Sequence, residues 1–167
     1  DRDPDAVEVD MKWPGLVDGR DGQRRRRSRN RRGSSVLDTF FVMTLLLGLS
    51  FGIVEYGYFF FVKHNLQAAA REGARAAILP GATSQNVTDA VTSLMKSAGL
   101  DKTGYSVSVT DTGGKALDVS SATAGTPIQV QVQCTWGSVG VHPLPESLGG
   151  ISPAKVVKGA TVMRKEG

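Results

Sequence analysis

Cysteine is nearly missing from this chain. Cys134 is the single one in 167 residues, so no internal disulfide can form and any fold must be held by packing alone. Its place in an alternating segment reads as a half-buried strand position, with an intermolecular bridge as the other use open to it. Histidine is almost as scarce. His64 and His142 stand far apart with no Cys/His/Asp/Glu cluster beside either, which leaves a metal without ligands at workable spacing. Also missing are a nucleophile–base pair, paired carboxylates and a phosphate loop. The glycines of 137–153 follow neither G-x-G-x-x-G nor a P-loop pattern. These absences argue against an enzyme, and no cofactor or metal site is expected.

Positive charge is present but unevenly spread. The formal net charge is +4, which on its own invites a nucleic-acid partner. Residues 1–33, however, carry ten Lys/Arg, seven of them arginines within 24–32, against seven acids. So concentrated a block is a topology signal, and nucleic acid is not expected as a partner. Residues 1–23 hold Pro4, Pro14, Gly15, Gly19 and Gly22 among many acids and show no apolar period. They read as disordered leader.

The arginines are followed by a small-residue joint, Gly33-Ser34-Ser35, and then by an apolar run from Val36 to Val54 that continues through Glu55 to Val62. A helix rises about 1.5 Å per residue, and about 20 mostly apolar residues cross a bilayer core. The run meets that length. A secretory signal peptide has a shorter apolar stretch and a small-residue cleavage site after it. Here the run is longer, and helix-forming residues continue behind it with no breaker until Pro80-Gly81. The expected layout is a basic leader over 1–33, a transmembrane helix over 34–62, and an exported domain over 63–167 that begins with a helix extension to 79. Basic residues beside a span stay in the cytoplasm, so the N-terminus is expected inside and the C-terminal domain outside, across the inner (cytoplasmic) membrane. Membrane lipid is then the first partner.

The joint has a further meaning. Gly33 follows the arginines, and Asp38 is the fifth residue counted from Ser34. This layout resembles leaders cut by a prepilin peptidase, which leave the apolar helix on the mature protein, and it marks Gly33 and Ser34 as the cleavage site. Phe51-Gly52-Ile53-Val54-Glu55-Tyr56-Gly57, followed by Ala69-Ala70-Arg71-Glu72-Gly73-Ala74-Arg75-Ala76-Ala77, resembles the signature of the TadE family. These are minor pseudopilins of tight-adherence (Flp-type) pilus and secretion systems. The closing segment, Ala160-Thr161-Val162-Met163-Arg164-Lys165-Glu166, is similar to that family's last strand. The family usually has Glu at the fifth mature position, and this chain has Asp38, one methylene shorter. The resemblance implies a structural role in a pilus assembly, with other pilins and pseudopilins and a prepilin peptidase as partners. It also implies that Asp38 neutralises a neighbour's new α-amino group; an acid favoured by the helix dipole is the plainer account. A different class of function, a single-span anchor whose outer domain holds a soluble envelope partner, fits the same span.

Glu55 has two placements open to it: a subunit contact inside the membrane, or the outer headgroup region beside Tyr56 and Tyr58. Ala69, Gly73 and Ala76 thin the helix beyond the span, for close approach by a neighbouring subunit or by the chain's own sheet. Arg71, Glu72 and Arg75 form a solvated face or an intersubunit salt bridge.

Beyond Pro80-Gly81, Thr83 or Ser84 can cap a second helix. Val87, Ala90, Val91, Leu94, Met95 and Ala98 share one face of it, and Gly99 closes it. The sequon Asn86-Val87-Thr88 falls at its start. Residues 105–110 alternate as a strand. Residues 127–136 do so more cleanly, with Ile128, Val130, Val132, Cys134 and Trp136 on one face. A long loop over 137–153 leads to a last strand at 155–163. The expected class is α+β and pilin-like: a long N-terminal transmembrane helix extending into a small exported domain with a second helix and an antiparallel sheet.

Overall fold

The computed structural model describes residues 32–140 and 143–166, with side chains from Ser35 onward. Residues 1–31 of the leader read over 1–33, and His142, lie outside the described residues. The chain groups into two compact units, Asp1–Thr39 and Phe40–Gly167.

In the first unit the described residues are the opening turns of helix α1 (Arg32–Ile78). Here the Thr39 hydroxyl donates to the Ser35 carbonyl at 2.9 Å.

In the second unit α1 runs on to Ile78 without a proline, and Pro80-Gly81 ends it. Hydroxyls within its apolar part are satisfied inside the helix: Thr44 donates to the Phe40 carbonyl at 2.8 Å and Ser50 to the Leu46 carbonyl at 2.7 Å. That back-bonding lets a hydroxyl sit in an apolar medium without an orphaned donor. Among the described residues, α1 is the one helix long and apolar enough to cross a membrane, and its most apolar stretch is not buried by the protein. Exposed side chains such as Phe41, Leu45, Leu49 and Ile53 form a continuous apolar surface there. So large an uncovered patch marks contact with lipid or protein rather than water.

Helix α2 (Ser84–Ser97) starts at Thr83, whose hydroxyl accepts from the Asn86 amide while the Asn86 side chain accepts from the Thr83 amide at 2.9 Å. Asn86 is thus engaged in a reciprocal capping box. At the other end the Gly99 amide donates to Lys96 and the Leu100 amide to Met95, with Gly99 at φ 70°. This is a Schellman closure, in which only the glycine takes the left-handed turn cheaply. Val87, Val91 and Met95 face inward. Thr83→Ala should lower the stability of the second unit by about 1 kcal/mol. A thermal melt in detergent checks this, and an unchanged midpoint would show that the cap contributes nothing.

Three strands, β1 (Ser106–Thr110), β2 (Pro127–Thr135) and β3 (Val156–Arg164), form an antiparallel sheet in the order β1-β2-β3. Alternation along β2 is strict: Ile128, Val130, Val132 and Cys134 are buried, as is Trp136 just beyond it. The fold is α+β, a long apolar helix with a second helix and a three-stranded antiparallel sheet, and it matches the class expected from sequence.

The core lies between this sheet, α2 and the C-terminal part of α1. One cluster joins Val62, Leu66, Ala69 and Ala70 to Met95, Val132 and Trp136, and another joins Ala74 and Ala77 to Val87, Ile128 and Val130. Trp136 is a core residue, its ring 5.4 Å from that of Phe59 and edge-on to it. Strand β3 comes so close to α1 that a Cβ on Gly159 would meet backbone atoms of Leu66 and Gln67. The Gln67 side-chain amide extends the sheet there, donating to the Ala160 carbonyl at 2.8 Å and accepting from its amide at 3.3 Å.

Candidate functional site: the apolar helix and its buried carboxylate

α1 carries two faces in succession. Up to Val54 its large apolar side chains are open; from Glu55 onward one stripe turns inward. Glu55, Val62, Leu66, Ala69, Gly73 and Ala77 are all buried, and their spacings of three, four or seven residues keep one helical phase. Glu55 is therefore the first member of the core-facing stripe, although it is a carboxylate in an apolar stretch.

Its burial is supported by hydrogen bonds. One carboxylate oxygen accepts from the Ile151 amide at 2.6 Å and the other from the Leu144 amide at 3.1 Å. A charge in or beside a membrane span is costly unless bonded, and two backbone donors answer that demand. Of the two placements expected from sequence, the subunit contact does not describe this geometry. The side chain lies under residues of its own loop, where it is fully buried, rather than open to a neighbouring subunit. Sequence reasoning missed its partners because they are backbone amides, which leave no side-chain signature. The phase that Glu55 shares with Val62 and Leu66 was the available signal.

The small residues divide. Ala69 and Gly73 are buried inside the chain, and a Cβ on Gly73 would stand 2.8 Å from a Val91 methyl. The close approach they permit is to the chain's own second helix and sheet, which leaves them no open surface for a neighbouring subunit. Ala76 is half-buried, on a shallow concavity with Leu79, Pro80 and Asn86. Arg71, Glu72, Arg75 and His64 are exposed.

Asp38 is exposed. Gly33 and Ser34 fall in the first turn of α1, where backbone N–H groups have no intrahelical partner.

Two groups outside the apolar helix have shifted acidities. Bonds from the Ser120 hydroxyl and amide hold the Asp118 carboxyl below its ordinary value. Burial pushes the Cys134 thiol up, which keeps it protonated and a poor nucleophile; the side chain is more deeply buried than a half-buried strand position. Among the described residues no group of three or more His, Cys, Asp or Glu is placed to hold a metal.

Fold and helix together define an α+β protein with, among the described residues, a single candidate membrane span near the N-terminus. Residues 33–75 match the family described as TadE-like protein, the family that the sequence resembles over the same segment. That family is one of structural pilus components, and the match points to a part of a tight-adherence pilus system and to a membrane location. No curated protein and no solved structure matches the chain.

Proposed function

We propose that the chain is a TadE-like minor pseudopilin of a tight-adherence pilus or secretion machine. The observation that carries this reading is a coincidence of position. The family match over 33–75 starts at the glycine of the leader joint and covers the helix whose apolar side chains are open along 36–54. A prepilin peptidase acting from the cytoplasm cuts between Gly33 and Ser34, and the arginines hold that joint at the membrane face. Few hydrogen bonds oppose opening the first helical turn, and glycine gives the protease unencumbered backbone. The mature helix then stays in the inner membrane with the sheet domain outside, and it associates sideways with other pilins through its open apolar face. Asp38, now near the new N-terminus, faces a neighbour's α-amino group in a medium of low dielectric. The domain does no chemistry and acts as a placed structural part.

Intact-mass analysis of membrane-extracted protein tests this. From a host with an active prepilin peptidase, the mass should correspond to Ser34 onward, and Gly33→Leu should leave the leader attached. Recovery of uncut wild-type chain from such a host would sink the reading and favour a simple single-span anchor.

A further inference from the structure

The segment that buries Glu55 has no part in the reading above. Residues 143–151 leave the sheet domain and fold as a strap along α1. A Leu144 methyl lies 3.8 Å from where Gly52 would carry a Cβ, and the Tyr56 hydroxyl donates to the Gly149 carbonyl at 3.3 Å. Between strap and helix runs an apolar groove of about 420 Å³, lined by Gly48, Leu49, Gly52 and Ile53 on one side and by Leu144 and Leu148 on the other. It continues towards Thr44 and Leu45. Leu148 is 72% exposed, beside helix residues that are themselves apolar and open.

Irregular backbone is excluded from lipid when its polar groups are unsatisfied. In this strap most of the amide donors are engaged. The amides of Leu144 and Ile151 go to Glu55. Those of Leu148 and Gly150 go to the Pro145 carbonyl, and that of Gly149 goes to the Glu146 carbonyl. Pro143 and Pro145 have no N–H to satisfy. We propose that residues 144–149 make a second membrane contact, setting Leu144 and Leu148 at the boundary of headgroups and acyl chains, with Glu55 as the positioning residue. The inference rests on the reading that α1 spans the membrane.

Depth agrees with this. At about 1.5 Å per residue, Gly52 and Gly48 lie about 4.5 and 10.5 Å along the axis from Glu55, close to the about 5–10 Å to which interfacial apolar faces sink. Glu146 is exposed, and its charge keeps the tip at headgroup level. Lipid suits the groove better than a neighbouring helix does. Close helix packing through both glycines would need Gly52 bare as well as Gly48, and Leu144 already lies beside Gly52.

The test uses the full chain in a Cys134→Ala background, with an environment-sensitive fluorophore on Leu148→Cys, on Leu45→Cys as the span reference, or on Lys102→Cys as the domain reference. Each is reconstituted into phosphatidylcholine–phosphatidylglycerol vesicles with brominated acyl chains. The Leu148 and Leu45 labels should both lose most of their emission to bromine, while the Lys102 label keeps its own. Quenching at Leu45 with none at Leu148 overturns the strap contact and leaves the span intact; no quenching at either overturns both. A Leu148 label shielded from bromine and from aqueous iodide alike means that protein covers the strap, and it also overturns the proposal. Adding Glu55→Ala should move the Leu148 label from lipid to iodide while the near-ultraviolet circular dichroism of Trp136 stays, and Glu55→Gln should do so in part. Unchanged lipid quenching in Glu55→Ala removes Glu55 from the positioning role.

Discussion

Gly159→Ala is expected to destabilise the sheet domain by about 3 kcal/mol, the upper part of the range for one added carbon in a packed core. The added Cβ would stand 2.5 Å from the Gln67 nitrogen and the Leu66 carbonyl carbon, and 2.6 Å from the Leu66 oxygen. These are helix backbone atoms, so no rotamer change relieves the clash. Either β3 lifts off α1 or the sheet shifts with it, and β3 is bound to β2 through nine paired positions, Gly159 to Val132 among them. A domain of this size has a stability of only about 5–15 kcal/mol, and the thermal midpoint should fall on the order of 15 °C. The near-ultraviolet signal of buried Trp136 reports it in detergent. Gly57→Ala is the control: a Cβ there meets nothing within 4 Å, and alanine favours a helix by about 1 kcal/mol. Equal midpoints for the two variants would mean that β3 is not seated on α1 at Leu66.

The same contact shows where sequence reading runs out. Strand β2 was legible because alternation of Ile128, Val130, Val132, Cys134 and Trp136 needs no knowledge of the partner, and all five are buried. Helix α2 was legible from its cap and its i, i+3, i+4 face; the structure selects Thr83 over Ser84 as the cap. Boundaries shifted by a residue, with β3 running over Val156–Arg164 rather than 155–163. Small residues on α1 were visible too, but a run of alanine and glycine only says that something comes close. What comes close is fixed by Gly159, 93 positions after Leu66 and unremarkable in its own strand. Glu55 is a sharper case. Its bonds reach 89 and 96 residues along the chain to amides of a Pro/Gly-rich loop, and no side-chain type in that loop announces them. Only the helical phase shared with Val62 and Leu66 hinted that the carboxylate turns inward.

Asp38→Ala and Gly73→Leu should both reduce recovery with partner pilins, for opposite reasons that one experiment separates. At Gly73 a Cβ would meet methyls of Val91, Val130 and Val87 at 2.8, 3.2 and 3.3 Å. A leucine has no cavity to enter, so the cost is about 1–3 kcal/mol and falls on the fold itself. The expected signs are a lower melting midpoint and faster proteolysis of the isolated protein, whether or not partners are present. Asp38 is exposed, and its removal takes away no packing. Its value lies in pairing with a neighbour's amine, and unit charges about 4 Å apart interact by about 4 kcal/mol at an effective dielectric of about 20. Even a third of that, about 1.4 kcal/mol, is a tenfold change in association. Asp38→Ala should therefore keep the wild-type melting curve and membrane insertion while co-purification with partner pilins falls at least about tenfold, and Asp38→Glu should retain or improve it. Wild-type recovery of Asp38→Ala from a strain making the full pilus set would put the single-span anchor ahead, because a carboxylate that no neighbour needs has no part in assembly.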